Sequence, residues 1–467
     1  EVTIPGNVNS IGNGAFQQCS LLTKVAISNG SGMLATGNET FQHSPLQRVY
    51  MGRDMTGYPF SGHGALTELT IGEGVTSIAD NAFSGCTGLS ALNLPPSVAK
   101  IGANAFAGCT GLSSPLTIPS SITHIGASAF SGCTTVESVV IEGSDSPLTM
   151  GNNVFLGNPI STVSINRDIA GAPFKGSGIQ RLTLGDKITA IYESAFQGCV
   201  SLAELTLPSS LKSIGNYAFN GCTSLTEISI PSSVTSLGTQ AFGGTQIATA
   251  RLEDGTEPLS CGNLTFKDCP LTTLYIGRNM TGSPFAGHTG LTDLTFGENL
   301  ETIANRAFQG CTGLTNLTFG KSLNRIGAVA FSGCTGLTEL TIPASVTFIG
   351  NNAFENCKSM TEVTIPYTGD PLTCDAGVFY GTPVVSATVN RAISGAPFRN
   401  CQTLESVSIG NNLPVIDDFA FQNCTKLSAI TFPDALSSIG QSAFQGCVGL
   451  TEVTLKSDTR DIGDQTF

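Results

Sequence analysis

One stretch recurs along the whole chain: Leu337-Thr-Glu-Leu-Thr-Ile-Pro-Ala-Ser-Val-Thr-Phe-Ile-Gly-Asn-Asn-Ala-Phe354-Glu-Asn-Cys357. As a pattern it reads Leu-x-x-Leu-x-Ile-Pro-x-Ser-Val-x-x-Ile-Gly-x-x-Ala-Phe-x-x-Cys, and further copies begin at Leu202 and Leu225. A period near 23 residues is typical of a solenoid, in which every unit forms one coil and buries its apolar side chains against the neighbouring coils.

Phenylalanine marks the phase of this repeat. Twenty-one of the 26 Phe residues occupy one position of the unit, and the commonest interval between them is 23 residues. They are Phe16, Phe41, Phe60, Phe83, Phe106, Phe130, Phe155, Phe174, Phe196, Phe219, Phe242, Phe266, Phe285, Phe308, Phe331, Phe354, Phe379, Phe398, Phe421, Phe444 and Phe467. We expect these rings to stack as a spine inside the coils.

Each part of the unit predicts a local structure. Leu-x-x-Leu-x-Ile alternates apolar and polar residues, which indicates a short strand that ends at Pro. The Gly of Ile-Gly permits a tight or left-handed turn, and Ala-Phe-x-x-Cys predicts a helical or 3₁₀ turn on the outer side. The predicted fold class is therefore an α/β repeat solenoid, with one parallel β-sheet on the concave face and short turns, 3₁₀ or helical segments on the convex side.

The sequence also has a second, longer period of about 113 residues. The phrase Arg-x-x-x-Gly-x-Pro-Phe begins at Arg53, Arg167, Arg278 and Arg391, and a longer polar loop precedes each copy. We therefore predict a single solenoid over residues 1–467, with about 20–21 units in five-unit blocks. Each Arg either pairs with the acidic loop before it or caps carbonyl groups at a turn; the alternative is a repeated anion site.

The charge of the chain limits its partners. Lys and Arg number 21 and Asp and Glu number 34, so the net charge is −13. Such a surface repels nucleic acid and anionic membranes, and no apolar run is long enough to cross a bilayer. The chain begins within a strand and ends within a unit, which is typical of a trimmed fragment, so the lack of a signal peptide is uninformative.

Cysteine and histidine follow the repeat too. Thirteen of the 15 Cys stand three residues after a Phe: Cys19, Cys86, Cys109, Cys133, Cys199, Cys222, Cys269, Cys311, Cys334, Cys357, Cys401, Cys424 and Cys447. This fixed position indicates small buried apolar residues and not a disulfide framework. With no Cys-x-x-Cys pair and only four His, neither a metal nor a cofactor is predicted. His63 and His288 occupy matching units and are interpreted as loop residues.

The exposed positions of the strands form the candidate ligand-binding face, because alternate strand residues point to opposite sides. One column is rich in carboxylates and the next in hydroxyls, and two tyrosines interrupt the second. The candidate residues are Glu68, Thr70, Glu204, Thr206, Glu227, Asp293, Glu339, Thr341, Glu362, Glu452, Tyr50 and Tyr275. Either Glu and Thr merely keep an exposed strand soluble, or a basic ligand or a hydroxyl-rich glycan lies along this face.

Nothing in the sequence predicts catalysis. Nucleophile elbows, phosphate loops and His-Glu-x-x-His motifs are absent. The carboxylates recur as a ladder, whereas glycoside hydrolysis needs one asymmetric pair. No catalytic residue is assigned, and the chain is not expected to be an enzyme.

The unit Cys-x-x-Leu-x-x-Leu-x-Ile-Pro-x-Ser-Val-x-x-Ile-Gly-x-x-Ala-Phe-x-x-Cys resembles the BspA-like, or Treponema-type, leucine-rich repeat over essentially the whole chain. The phrase Arg-x-Met-Thr-Gly-x-Pro-Phe resembles versions in gut Bacteroidetes proteins. Ser210 and Ser345 stand where the commoner leucine-rich repeat has Asn. The resemblance implies a right-handed coil and an extracellular or cell-surface protein, anchored to the outer membrane, that adheres to host matrix or other cells.

Three functions follow from these observations. The first is a surface ligand-binding or adhesion module, which holds a host or bacterial protein or a glycan on the concave sheet. The alternative is a structural spacer with no ligand of its own. A weaker alternative is a glycan-active enzyme.

Overall fold

A computed structural model describes residues 1–467. The chain divides into two compact units. The first unit comprises Glu1–Thr226 and Gln240–Gln246, and the second comprises Glu227–Thr239 and Ile247–Phe467. That all 467 residues form one solenoid remains a prediction.

Most coils of the first unit contribute two short strands, here termed the first and the second strand. The first strands form two parallel sheets: Val2–Ile4, Lys24–Ile27, Arg48–Met51 and Glu68–Ile71, and then Leu116–Ile118, Ser138–Ile141, Thr162–Ile165 and Arg181–Leu184. The second strands are Ser10–Ile11, Leu34–Thr36, Met55–Thr56, Ser77–Ile78, Lys100–Ile101, His124–Ile125, Leu148–Met150, Ile169–Ala170, Ala190–Ile191 and Ser213–Ile214.

The second unit repeats this plan. Its first strands form two five-stranded sheets: Glu227–Ile230, Thr249–Leu252, Thr273–Ile276, Asp293–Phe296 and Asn316–Thr318, and then Glu339–Thr341, Glu362–Ile365, Ser386–Val389, Ser406–Ile409 and Ala429–Thr431. Its second strands are Ser236–Leu237, Leu259–Cys261, Met280–Thr281, Thr302–Ile303, Arg325–Ile326, Phe348–Ile349, Leu372–Cys374, Ile393–Ser394, Val415–Ile416, Ser438–Ile439 and Asp461–Ile462.

The helical or 3₁₀ segments that we predicted on the convex side are absent, and that prediction is wrong. Ala-Phe-x-x-Cys forms consecutive turns, because two residues per coil have left-handed backbone conformations, such as Asn81 with φ of 57° and Gly85 with φ of 72°. The backbone N–H of Phe83 donates to the carbonyl of Ala105 in the next coil at 2.8 Å. A helix cannot continue through left-handed residues, so these amides bond between coils.

The Gly of Ile-Gly serves a different purpose from the left-handed turn that we predicted. Gly102 and Gly126 are not in the left-handed region. A Cβ atom at Gly102 would lie 2.5 Å from the backbone nitrogen of Asp80, and one at Gly126 would lie 2.4 Å from that of Ala103. Glycine therefore allows the backbones of successive coils to approach closely after the second strand.

The Phe spine is confirmed within each unit. Phe83 and Phe106 stack with ring centroids 5.5 Å apart in the first unit, and Phe331 stacks on Phe354 at 5.2 Å in the second. Nineteen of the 21 rings are buried. The exceptions are Phe16, which is half-buried, and Phe467, which is 52% exposed. Each of these two rings stacks on only one neighbour.

The repeated cysteines are hydrogen-bond donors and not simply apolar residues. The thiol of Cys109 donates to the carbonyl of Phe83 in the preceding coil at 3.2 Å, and Ser44 replaces Cys in the same role, donating to Phe16 at 2.8 Å. All 15 cysteines are free thiols, and 12 of the 13 in phase are buried. Cys19 is exposed, so the prediction of burial is wrong for that residue.

The repeated arginines cap backbone carbonyls, which is one of the roles predicted for them. Arg278, fully buried, donates through Nη1 to Ser232 at 2.7 Å and through Nη2 to Pro231 at 2.9 Å. Arg53 and Arg167 make equivalent bonds to carbonyls of residues 45 to 48 positions earlier. Burial lowers the pKa of Arg278. Arg391 makes one such bond, from Nη1 to the carbonyl of Ala344 at 3.2 Å. Because the Nη atoms of Arg53, Arg167 and Arg278 face carbonyl oxygens, the structure gives no support to an anion site at these three residues.

A small packing difference separates the blocks. Ile169 and Ile393 each border an apolar cavity of about 20 Å³, whereas the longer Met55 and Met280 occupy the matching positions of the other two blocks. We expect Ile169→Met to fill its cavity and raise the free energy of unfolding by about 0.5 kcal/mol, at roughly 24 cal/mol per Å³. Urea denaturation measures this change.

The matched control is Met55→Ile, which we expect to lower the free energy of unfolding by a similar amount. A loss of stability in Ile169→Met would show instead that the site is overpacked by the longer side chain.

Candidate ligand-binding face

The front face is defined as the outer side of the first-strand sheets within each unit. In the strand Glu339–Thr341, Leu340 is buried and its two neighbours are exposed. Nine predicted residues lie in first strands and are exposed or half-buried: Tyr50, Glu68, Thr70, Glu227, Tyr275, Asp293, Glu339, Thr341 and Glu362. Three do not: Glu204 lies in an isolated bridge with Arg181, and Thr206 and Glu452 lie outside any strand. The exposure of this face is thus as predicted, while ligand binding by it remains a prediction.

Strand register aligns the front face of the second unit into two columns. In the second of its sheets, Thr341, Thr364 and Thr388 pair in sequence across three strands, and Ser408 and Thr431 extend the column. Neighbouring parallel strands lie about 4.8 Å apart. The sheet therefore presents a straight ladder of hydroxyl groups at that spacing.

Beside this ladder lie two adjacent carboxylates. Glu339 is directly opposite Glu362 in register, and both side chains are exposed. Like charges at directly opposite positions destabilise a sheet. Neither carboxylate makes a hydrogen bond or an ion pair in this structure, so both are available to a cationic group on a partner.

The carboxylate of Asp293 is held differently. It accepts hydrogen bonds from Thr292 and from Asn316, each at 2.6 Å. These two bonds lower the pKa of Asp293, because they stabilise its charged form. Asp293 is therefore oriented by its neighbours, unlike the glutamates of the other sheet.

A contact between Arg251 and Tyr275, which the sequence analysis missed, lies in the first sheet of the second unit. The guanidinium carbon of Arg251 is 3.8 Å from the ring centroid of Tyr275. The hydroxyl of Tyr275 donates to Asp254 at 2.7 Å, and partial burial and the Asp254 carboxylate raise the pKa of Tyr275. Arg251 could have been found, because it falls in the same column as Tyr275 when the strands are aligned.

The front face of the first unit has a more mixed charge. Lys24 and Arg48 are neighbours in register, and Arg48 is opposite Glu68. Lys24 forms an ion pair with Glu1 at 2.9 Å. Tyr50 matches Tyr275 in position, but its hydroxyl donates to a neutral group, the side-chain oxygen of Asn29, at 3.1 Å. The first unit carries a net charge of −4 (9 basic minus 13 acidic residues) and the second −9 (12 minus 21).

The structure shows neither a metal site nor a membrane-spanning helix. No three His, Cys, Asp or Glu residues are grouped where they could hold a metal ion. The chain contains no helix that is long and apolar enough to cross a membrane.

Coils of parallel strands, stacked with one residue pattern per coil and an exposed front face, define a repeat protein of the solenoid class. A family model described as the BspA type leucine rich repeat region matches six copies, at residues 1–60, 53–171, 167–284, 278–395 and 391–467. The match extends over the whole chain, and the protein belongs to this family. No curated protein matches the sequence.

Solved structures show weaker likenesses. A leucine-rich repeat protein from Bacteroides ovatus is 24% identical, with a TM-score of 0.38 over 83% of this chain and 86% of that one. A leucine rich cell surface protein from Faecalibacterium prausnitzii is 21% identical, with a TM-score of 0.26 over 79% of this chain and 88% of that one. At these scores neither structure indicates a ligand for this chain.

Proposed function

We propose that the protein is an extracellular or cell-surface binding module that holds a protein or glycan partner on its front face. The observation that carries this proposal is the pair Glu339 and Glu362, adjacent in register, exposed and unpaired beside the hydroxyl ladder. Extended exposed sheets are the surfaces that solenoids use for binding. Membership of the BspA-type family supports a role in interaction.

The chemistry of the face favours a partner with cationic groups. The second unit has a net charge of −9 by the count above, so an electropositive partner is attracted from a distance. At contact, Arg or Lys side chains of the partner relieve the repulsion between the two glutamates. The hydroxyl ladder supplies hydrogen bonds along the same line.

Reversing both charges tests this proposal. We expect Glu339→Lys/Glu362→Lys to weaken binding at least tenfold (about 1.4 kcal/mol), because two attractive contacts become repulsive. Binding is measured first with the unmodified protein on arrays of extracellular proteins and glycans, and then by titration of each positive ligand.

The control carries the same charge change away from the front face. Glu257 and Glu301 are exposed and lie outside the first strands, so Glu257→Lys/Glu301→Lys should bind within twofold of the unmodified protein. Equal losses in the two variants would contradict a specific face, and no binding to either array would favour a spacer. Hydrolysis of any arrayed glycan would reveal an enzyme.

A further inference from the structure

Two coils carry histidine where the repeat has a thiol or a hydroxyl. His63 follows Phe60 by three residues and His288 follows Phe285 by three, which is the position of Cys in most coils. The two histidines are 225 residues apart (288 minus 63), and Ser177 occupies the matching position of another block. Both lie outside the strands, as predicted for loop residues, but their rings are not solvated loop side chains: His63 is only 8% exposed and His288 is half-buried.

Both ring nitrogens of each histidine face backbone carbonyl oxygens. Nε2 of His63 is 2.9 Å from the carbonyl oxygen of Phe41, in the preceding coil, and Nδ1 is 3.0 Å from that of Phe60. His288 repeats the arrangement with Phe266 at 2.9 Å and Phe285 at 3.0 Å. The same geometry therefore occurs independently in each unit.

A carbonyl oxygen can only accept a hydrogen bond, and a neutral imidazole has one N–H. In either neutral tautomer, one ring nitrogen would direct its lone pair at a carbonyl oxygen about 3 Å away. Only the imidazolium ion donates to both oxygens. At the same position, Cys109 and Ser44 each supply one donor to one carbonyl of the preceding coil, and no such mismatch arises.

The titratable groups around His63 are on the two adjacent coils. Cys86 of the next coil donates to the carbonyl of Phe60 at 3.1 Å, and burial raises the pKa of the Cys86 thiol to about 12, so it stays neutral. His43 of the preceding coil lines the same cleft, whose volume is about 340 Å³. No carboxylate lies within hydrogen-bond distance of the ring.

His288 has corresponding neighbours. Cys311 donates to the carbonyl of Phe285 at 3.3 Å, and burial raises the pKa of the Cys311 thiol to about 11. Lys267, Asp268 and Cys269 of the preceding coil line the adjoining cleft, whose volume is about 440 Å³. The carboxylate of Asp268 makes no hydrogen bond to the ring.

We propose that His63 and His288 are proton-dependent links between successive coils, at the edge of these two clefts. Each ring is held as the imidazolium ion: Nε2–H binds the preceding coil and Nδ1–H binds the ring's own coil. Loss of one proton removes one of these two contacts and loosens the joint between the coils. Because folding brings the second proton into a bonded position, the folded state is stabilised in acid and loses this contribution as the pH rises through the histidine range.

The protonation state can be observed directly in the protein labelled with ¹⁵N-histidine. At about pH 7, where a free histidine is mostly neutral, we expect two of the four rings to show both nitrogens protonated. The other two rings, His43 and His124, are exposed and provide the internal comparison. Detection of one protonated nitrogen in all four rings at this pH would overturn the proposal.

A variant that restores the usual residue gives a second readout. In His63→Cys/His288→Cys, each coil carries the thiol that other coils carry at this position. Between about pH 6.5, where free histidine titrates, and pH 8, the unfolding constant of the unmodified protein should rise relative to the variant by up to tenfold per pH unit for each histidine. The same ratio at all pH values would contradict the proposal. His43→Gln/His124→Gln is the control, and it should keep the pH dependence of the unmodified protein.

Discussion

Raising the pH above about 9 should unfold the protein cooperatively, at a pH where most proteins lacking buried thiols remain folded. Burial raises the pKa of Cys86, Cys222 and Cys357 to about 12 and that of Cys133 and Cys311 to about 11. An exposed thiol in the unfolded chain titrates near 8.5. The folded state therefore binds these protons more tightly than the unfolded state does.

The sign of the effect follows from this difference. A raised thiol pKa contributes stability that is complete below the unfolded value, near 8.5, and that is lost as the pH rises toward 11 to 12. Each such thiol removes up to about 1.4 kcal/mol per pH unit within that window. Five thiols together remove at most roughly 7 kcal/mol per pH unit, which is comparable with the whole stability of a typical domain, about 5–15 kcal/mol.

Circular dichroism against pH, with thiolate absorbance recorded on the same samples, measures the transition. Thiolate formation should coincide with loss of secondary structure, because the buried groups titrate only when the coils open. Cys311→Ser/Cys334→Ser/Cys357→Ser removes three adjacent thiols of the second unit while keeping a donor, as Ser44 does in its own coil.

We expect this triple variant to lose stability less steeply above pH 9 than the unmodified protein, even if it is less stable at pH 7. A slope identical in the two proteins would show that the thiols do not control the transition. Thiolates that form well before the structure is lost would show that the thiols are not protected by burial.

The 23-residue period and the alternation within each repeat predicted the features that depend on one coil alone, such as which side chains are buried. Alternation in Leu337–Ile342 was enough to place Leu340 inside and Glu339 outside, and the fixed spacing of Phe was enough to predict the stack. The second-strand sheets were not predicted, because a two-residue strand such as Ser77–Ile78 has no alternation of its own to read.

Features that depend on contacts between two coils could not be derived from the sequence of a single repeat. The turn around Phe83 lacks a helix because its amides find acceptors in the next coil. The need for Gly102 arises from the approach of Asp80, and the donor role of Cys109 arises from the carbonyl of Phe83. Each partner lies 22 to 26 residues away, and its position became known only when the coils were stacked.

The candidate face shows the same division. Exposure of Glu339 and Glu362 followed from strand alternation, whereas their direct pairing followed from the register between strands. The contact of Arg251 with Tyr275 likewise required the alignment of two strands. The columns of the sequence analysis already contained both glutamates, and extending the same alignment to the strand of Arg251 would have placed it beside Tyr275.

Truncation of one ring of the spine should have the largest effect of any single substitution. Phe331 is fully buried, with ring centroids 5.4 Å from Phe308 and 5.2 Å from Phe354. Phe296 and Phe319 also contact its ring edge to face. We expect Phe331→Ala to lower the free energy of unfolding by about 3–5 kcal/mol, because it removes these contacts and leaves a cavity.

Thr341→Ala is the matched control, since Thr341 is exposed on the front face of the same unit and should change stability by less than about 0.5 kcal/mol. Urea denaturation of both variants measures the difference. A change in the slope of the unfolding free energy against urea concentration shows how much of the chain unfolds together.

Solenoid stability is close to a sum of coil and interface contributions, so the cavity weakens two interfaces at once, toward Phe308 and toward Phe354. Phe467→Ala, at a ring that is 52% exposed and stacks on Phe444 alone, should therefore cost much less. Equal losses at Phe331 and Phe467 would mean that the rings contribute individually and not as a stack.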